Sequence, residues 1–252
     1  MKSRYDAVVI GAGLGGLSAA TLLARRGFST LLLEQHNIPG GYATSFVRGR
    51  YEFEVALHEL SDIGRDGRLG ALGKYLKYLG VSDKVEFVQI PELYRSVFPD
   101  LDLTLPRGKD AYVDTLCKAF QRDEKGIRRF MKRVFELSKE VDELQKIQSG
   151  KLKDILSLAV SAPFRLRALP RYFFSTWEDV LARDVTDPKA RAVISQYWGY
   201  FGLPPSKISF FLFAVALASY VIHGPTHIRG RSQALSNAFI ERFEELGGEV
   251  RF

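Results

Sequence analysis

Four residues near the start of the chain have the types and the spacing that hold a dinucleotide. Gly11, Gly13 and Gly16 form a G-x-G-x-x-G turn, and Glu34 follows at roughly the twenty-residue spacing expected of an acidic partner. Glycines let backbone N–H groups approach a pyrophosphate, and a helix N-terminus adds roughly half a positive charge. Glu34 can accept hydrogen bonds from both hydroxyls of an adenosine ribose, and its charge would repel a 2′-phosphate. The pattern predicts a dinucleotide site that disfavours NADP.

A strand, a turn, a helix and a second strand must position these residues. Branched apolar residues predict a first strand over 6–10, a helix over 17–26 that ends at Gly27, and a second strand over 29–33. In this βαβ context the glycine pattern is much more specific than it is alone, where an ordinary packing turn would explain it. We therefore expect an α/β fold with a Rossmann-like FAD/NAD(P)-binding domain.

A second glycine pair favours FAD as the cofactor. Pro39-Gly40-Gly41 follows Glu34 closely and supplies backbone that could approach the pyrophosphate and ribityl chain, although an ordinary turn would look the same. The loop after residue 49 is expected to bring His58 towards the flavin, or else to carry it as a surface histidine. The predicted cofactor-binding residues are Gly11, Ala12, Gly13, Leu14, Gly15, Gly16, Glu34, Gln35, Gly40, Gly41 and His58.

Three stretches resemble the FAD-dependent phytoene desaturase, carotenoid isomerase and retinol saturase group. They are residues 34–54, with EQHNIPGGYATSF and GRYEFE, then 200–206 and 224–250. The resemblance implies an FAD-dependent oxidoreductase that desaturates, saturates or isomerises a long apolar polyene or lipid, with the flavin as a two-electron acceptor. It also implies that the chain is the N-terminal part of a longer protein whose remainder completes the site. No catalytic residue is assigned.

The sequence departs from this group at two places. Glu54-Val55-Ala56 stands where the group has Asp-x-Gly, and Arg231 stands where it has the second glycine of a pair. Ala56 removes backbone freedom close to the flavin, and Arg231 places a bulky cation where backbone is expected. These departures support an alternative hypothesis, a non-catalytic lipid-binding or escort protein with a nucleotide fold. A third hypothesis is an amine-oxidase-like flavoenzyme.

The composition is that of a globular protein, with 252 residues, 46% hydrophobic and 26% charged. The single Cys117 excludes an internal disulfide framework and fits a reducing, cytoplasmic compartment. No metal site is expected, because Gly224 and Pro225 break the helix that would align His223 with His227. The net charge of +7 suggests an anionic partner surface. We find no nucleic-acid motif, so a membrane surface is the preferred partner.

Two domains are predicted. Residues 1–90 and 225–252 would form a discontinuous FAD-binding domain that lacks its C-terminal part, and residues 91–224 an inserted, mainly helical domain that faces the substrate and a membrane. Strand candidates at 85–90, 94–98 and 101–105 suggest a small antiparallel layer where the chain leaves the first domain.

Two segments of the inserted domain favour apolar surroundings. Residues 155–174 mix arginines with aromatic residues, which suits either a peripheral contact with lipid headgroups or a helix with a basic outer side. Residues 208–222 are fifteen residues without a charge, fewer than the roughly twenty needed to span a bilayer. We therefore expect a buried helix there, lining a cavity for the apolar substrate.

Overall fold

The computed structural model of the protein describes residues 4–65, 67–146 and 166–252. The chain divides into two compact units. The first unit comprises residues 1–90 and 225–252, and the second unit comprises residues 91–224.

The described residues form strands and helices in both units. In chain order they are β1 (Ala7–Ile10), α1 (Leu14–Arg25), β2 (Thr30–Leu33), β3 (Ser45–Arg48), β4 (Tyr51–Glu54), β5 (Gly64–Arg65), β6 (Arg68–Leu69), α2 (Ala71–Leu79), β7 (Phe87–Gln89), β8 (Glu92–Phe98), β9 (Leu101–Pro106), α3 (Lys109–Ala119), α4 (Glu124–Lys146), α5 (Ala168–Tyr172), α6 (Trp177–Leu181), α7 (Pro188–Ile194), α8 (Phe210–His223), β10 (Thr226–Ile228), α9 (Arg231–Glu245) and β11 (Glu249–Arg251). Short 3-10 helices occupy Ser82–Lys84, Gln121–Asp123 and Gln196–Phe201.

A parallel sheet in the order β1-β2-β11 forms the centre of the first unit. Helices α1 and α9 bury their apolar sides, with Leu17, Phe239 and Phe243 at most 2% exposed. Helix α1 begins where β1 ends, and α9 runs back before β11. Because the strands are parallel, the N-termini of both helices lie at the carboxyl edge of the sheet, where open α/β sheets bind ligands. The predicted βαβ unit and α/β fold are confirmed.

One expected strand pairing is wrong. Strand β7 does not join β8 and β9 but pairs antiparallel with β10, with Phe87 opposite Ile228. Strands β8 and β9 form a hairpin by themselves in the second unit. The Gln89 amide also donates to Thr226 Oγ1 at 2.8 Å. A strand pattern predicts a local hairpin readily, but it carries no signal for a partner that returns much later in the chain.

The second unit is mainly helical and is built around α8. Phe210, Phe213 and Leu217 of this helix are at most 1% exposed, which confirms the predicted buried helix. Trp177 of α6 packs against Phe213, with ring centroids 4.3 Å apart, and donates from Nε1 to Ser195 Oγ at 2.8 Å. The buried aromatic residues of α8 therefore pack in the core of the second unit.

Helix α4 has a basic side that is tied to the rest of the second unit. Arg129 Nε lies 3.1 Å from Asp184 Oδ1, and Arg133 contacts the other oxygen of the same carboxylate. The Asp184 side chain is only 5% exposed. A buried carboxylate requires such partners, so part of the basic side is structural and not simply solvated surface.

Most of the arginine-rich segment 155–174 lies outside the described residues, which stop at 146 and resume at 166. The described end of it forms α5, where the Glu140 carboxylate accepts from the N–H groups of Arg167, Ala168 and Leu169. Phe174 follows and is 94% exposed. Within the described ranges, no helix combines the length and the hydropathy needed to cross a bilayer.

Candidate dinucleotide site

The first glycine turn joins the end of β1 to the start of α1. The Gly11 N–H donates to the Leu33 carbonyl at 2.7 Å, which fixes the turn between the two neighbouring strands. Gly13 is the N-cap residue of α1 and has no side chain that could accept from the first helical turn. The N–H groups of that turn are therefore available to an anion, and the helix dipole adds to their attraction.

Gly16 brings α1 close to the strand. A Cβ atom built at this position would lie 1.8 Å from the Gly11 carbonyl oxygen. The atom it would strike is backbone, which cannot rotate away as a flexible side chain could. Only glycine fits here, and the third glycine of this pattern is the one that lets the helix pack close to its strand.

Glu34 is held against the first turn. Its Oε2 accepts from the Ala12 N–H at 2.5 Å and its Oε1 from the His36 N–H at 2.8 Å. The hydrogen bond from the His36 N–H, and after it the one from the Ala12 N–H, hold the pKa of Glu34 below its ordinary value. The carboxylate is therefore ionised at neutral pH, and each oxygen keeps a lone pair for a ribose hydroxyl.

The second glycine pair packs directly on the first turn. The Gly40 N–H donates to the Ala12 carbonyl at 2.7 Å, and Gly40 bridges Gly13 in a parallel arrangement. Gly40 has φ +122, and a Cβ there would lie 2.3 Å from the Ala43 carbonyl oxygen. A Cβ on Gly41 would lie 3.2 Å from Gly13 Cα. We call the two segments, residues 11–16 and 40–41, the glycine site.

Three of the predicted site residues, Leu14, Gly15 and His58, take no part in these contacts. Leu14 is half-buried against the core and Gly15 faces open space, whereas Gln35 is exposed and its backbone N–H also helps to lower the pKa of Glu34. His58 is exposed; its N–H donates to the Ala56 carbonyl at 3.1 Å, and its own carbonyl lies 3.1 Å from His227 Nδ1. A cofactor role for His58 stays a prediction.

Two polar residues of α9 support the second glycine pair and were not predicted. Ser236 Oγ donates to the Ala43 carbonyl at 2.7 Å, and Gln233 Nε2 donates to the Pro39 carbonyl at 3.2 Å. Periodicity predicts the buried side of α9, but it does not show which of its polar residues contact a loop nearly two hundred positions earlier in the chain.

The two departures from the family pattern meet in the structure. Strand β4 presents Glu52 and Glu54 to the start of α9, where Glu52 Oε2 lies 3.0 Å from Arg231 Nε. Glu54 accepts from the Ser232 N–H at 3.2 Å and from the Ser232 hydroxyl. A carboxylate at a helix N-terminus is stabilised by its free N–H groups and dipole. This junction fixes the hairpin of β3 and β4 to α9.

Only one departure strains the backbone. Arg231 has φ +64, a left-handed conformation that favours glycine. Ala56 does not have a positive φ, so its backbone is not strained in this way. Replacing Arg231 with glycine should relieve about 1 kcal/mol of strain and remove an exposed ion pair worth at most about 1 kcal/mol. We expect R231G to be as stable as the parent protein by urea denaturation. E52Q, which removes the pair and keeps the strain, should be slightly less stable; a large loss in R231G would contradict this interpretation.

Glu54 should make the protein less stable as the pH rises. Burial raises its pKa above the ordinary value of 4.5, against the opposing effect of the Ser232 N–H. A raised folded-state pKa means that the ionised form is disfavoured by folding, so stability falls as the pH rises through that pKa. We expect E54Q, which keeps an acceptor for Ser232, to flatten this dependence in urea denaturation measured across the acidic range. An unchanged pH profile in E54Q would contradict the assignment.

Comparison with known proteins agrees with this geometry. The model of the NAD(P)-binding Rossmann-like domain matches residues 9–76, which include both glycine segments and Glu34. An oxidoreductase structure from Methanosarcina mazei superposes with a TM-score of 0.60 at 17% identity, over 97% of this chain and 50% of that one. The fold is therefore that of a Rossmann-like domain with an inserted, mainly helical unit.

The curated relatives include proteins named as a retinol reductase and a prolycopene isomerase. All-trans-retinol 13,14-reductase from Danio rerio is 28% identical over 97% of this chain and 40% of that protein. Prolycopene isomerase 1, chloroplastic, from an Oncidium hybrid cultivar is 28% identical over 75% of this chain and 32% of that protein. The chain thus spans less than half the length of these relatives. Its resemblance to the carotenoid isomerase and retinol saturase group, predicted from the sequence, is confirmed.

Proposed function

We propose that the chain is the cofactor-binding part of an FAD-dependent oxidoreductase that acts on a polyene. The observation that carries the proposal is the contact between the two glycine segments, where Gly40 bridges Gly13. A single glycine turn serves one pyrophosphate, whereas two adjoining backbone segments suit a longer dinucleotide that continues past the phosphates. FAD has this extended form.

The chain's own residues would bind and orient the cofactor. The N–H groups at the start of α1 would face the pyrophosphate, and Glu34 would accept hydrogen bonds from the adenosine ribose. Gly40 and Gly41 would bring backbone beside the ribityl chain, and Gly40 must be glycine for the loop to pack this way, since a side chain there would strike Ala43 and Ser236. When bound, the flavin would supply two-electron chemistry. The first unit would thus be the FAD-binding domain, and the second unit would be the substrate domain. The proposal also includes peripheral contact of the protein with a membrane and a location in the cytoplasm.

Fluorescence titration of the cofactor-free chain tests the choice of dinucleotide. We expect FAD to bind at least tenfold more tightly than NAD+, and NADP+ to bind weakest because its 2′-phosphate meets the Glu34 carboxylate. Equal affinity for FAD and NAD+ would contradict the role proposed for the second glycine pair.

Glu34→Gln should weaken FAD binding by about tenfold to a hundredfold, since hydrogen bonds to charged groups contribute roughly 1.5–3 kcal/mol. The depressed pKa of Glu34 predicts constant FAD affinity in the parent protein as the pH falls towards the ordinary value of 4.5, and a loss only below it. Asn37→Ala, an exposed residue of the same loop, is the matched control and should leave the affinity unchanged. An E34Q affinity equal to that of N37A would rule out a ribose contact.

A further inference from the structure

The hairpin of β3 and β4 has two chemically different faces. Phe46 pairs with Phe53 across the hairpin, and Arg48 pairs with Tyr51. Because side chains alternate along a strand, these four residues share one face. We call it the aromatic face. The opposite face carries Glu52 and the other acidic residue of β4, whose contacts with α9 fix the hairpin.

The aromatic face is exposed although most of its residues are apolar. Phe46 is 41% exposed, Phe53 45% and Tyr51 58%. The two phenylalanine rings stack with their centroids 5.2 Å apart. Val55 continues the same face towards the body of the unit and is 38% exposed. Contiguous exposed apolar surface of this kind marks a binding site more often than scattered single residues do.

The tip of the hairpin is cationic. The Arg48 guanidinium lies 5.0 Å from the centre of the Phe46 ring, and Arg50 Nη2 donates to the Tyr51 hydroxyl at 3.0 Å. Both arginines are exposed. The aromatic face is therefore apolar at the base of the hairpin and positively charged at its tip. Successive residues of this face along one strand are about 7 Å apart.

Helix α9 places the base of this face next to the glycine site. Ser236 contacts the loop at Ala43, and Ser232, one turn earlier, contacts Glu54 at the end of β4. Four residues of helix correspond to about 6 Å. The base of the aromatic face thus lies about one helical turn from the segment that would hold the ribityl chain, at the carboxyl edge of the sheet.

We propose that the aromatic face binds the conjugated chain of an amphiphilic polyene, with an anionic terminus of that molecule at Arg48 and Arg50. This inference rests on the proposed function and narrows its substrate class from apolar polyenes to those with an acidic end. Stacked aromatic rings offer a flat apolar surface, and guanidinium groups form strong hydrogen bonds with carboxylates.

One cavity among the described residues is a poorer candidate for such a chain. It holds about 680 Å³ in the second unit, and its lining is mostly charged: Arg133, Glu136, Lys139, Glu140, Arg167 and Arg171 are among its residues. Burial of a long apolar chain against those groups would cost the hydration of each of them.

Equilibrium dialysis of the full chain with all-trans-retinoic acid and all-trans-retinol tests the proposal. We expect the acid to bind about fivefold more tightly than the alcohol, because only the acid pairs with the two arginines. R48S/R50S should lose this preference and bind both alike. F46S/F53S should weaken both ligands by about tenfold, since it removes the apolar surface they share.

Two control variants match these changes in type. Y75S/Y78S removes two exposed aromatic residues of α2, and K74S/K77S removes two exposed cations of the same helix. Neither should change retinoid binding by as much as twofold. FAD affinity, measured in parallel, should stay at the parent value in F46S/F53S, which shows that the first unit is intact.

Three other results would contradict this inference. If the parent chain binds FAD but neither retinoid, the aromatic face does not hold a polyene and the inference is overturned, whereas a parent chain that also fails to bind FAD contradicts the proposed function itself. If the parent binds both but the hairpin variants bind as well as the controls, the aromatic face is not the binding surface, and the proposed function stands. If F46S/F53S instead changes the oligomeric state in light scattering and leaves retinoid binding unchanged, the face joins two copies of the chain, which also overturns the inference.

Discussion

Gly16→Ala should lower the free energy of unfolding by about 3 kcal/mol and abolish measurable FAD binding. The added methyl group would lie 1.8 Å from the Gly11 carbonyl oxygen, a distance that requires α1 to move away from β1. Overpacking of this kind costs about 1–3 kcal/mol, and a backbone obstacle places it at the upper end. The same movement displaces the helix N-terminus that would face the phosphates. Urea denaturation and FAD titration measure the two effects.

Gly15→Ala is the control for this prediction. Gly15 is the neighbouring residue of the same helix, and a Cβ there would meet nothing within 4 Å. Alanine is favoured over glycine inside a helix by about 1 kcal/mol. We therefore expect G15A to be at least as stable as the parent protein. If G15A and G16A lose the same stability, the close approach of α1 to β1 is not the reason for Gly16.

Trp177→Ala should lower the free energy of unfolding by about 3–5 kcal/mol. Trp177 is fully buried and its ring lies 4.9 Å from that of Phe130 and 5.6 Å from that of Phe210. Its removal would leave a large cavity in the core of the second unit and would deprive the buried Ser195 hydroxyl of its donor. Urea denaturation followed by circular dichroism measures the loss.

The chain contains a second tryptophan that serves as the control. Trp198 is 44% exposed, so Trp198→Ala should cost less than about 1 kcal/mol. Trp177→Phe keeps most of the ring volume and loses the hydrogen bond to Ser195, and we expect it to cost about 1–2 kcal/mol. A W177A variant that unfolds at the same urea concentration as W198A would contradict the assignment of this core.

The glycine site could be predicted from the sequence because its signals are local. Gly11 and Gly13 lie between β1 and α1, and Gly16 lies in the first turn of α1, as the pattern requires. Glu34 could be placed in the same way, because it directly follows β2 in the sequence. The buried helix α8 was also predictable, since an uncharged run of its length has few other environments in a globular protein.

Contacts between distant parts of the chain could not be predicted in this way. The sequence shows Arg231 as a departure from the family pattern, but only the structure shows that it pairs with Glu52. The support of the second glycine pair by Gln233 and Ser236 is of the same kind. Each depends on where α9 packs, which is decided by the whole unit and not by the residues around it.

One local sequence pattern is misleading. Residues 189–200 have the pattern of a single helix, whereas α7 ends at Ile194 and a 3-10 helix follows from Gln196. Ser195 lies at the junction, where its hydroxyl accepts a hydrogen bond from Trp177 Nε1. The backbone of Ser195 is not helical, so a tertiary contact and the end of α7 coincide at this residue.

The visible absorption spectrum of the purified full chain, recorded before and after denaturation, tests the central claim most directly. We predict the two bands of oxidised flavin in the folded protein or after its reconstitution with FAD, and release of free FAD on denaturation. G16A should show neither band after the same reconstitution, whereas G15A, whose added methyl group meets no atom within 4 Å, should show both. A parent chain that stays colourless in excess FAD would contradict the account and favour a non-catalytic protein with a nucleotide fold.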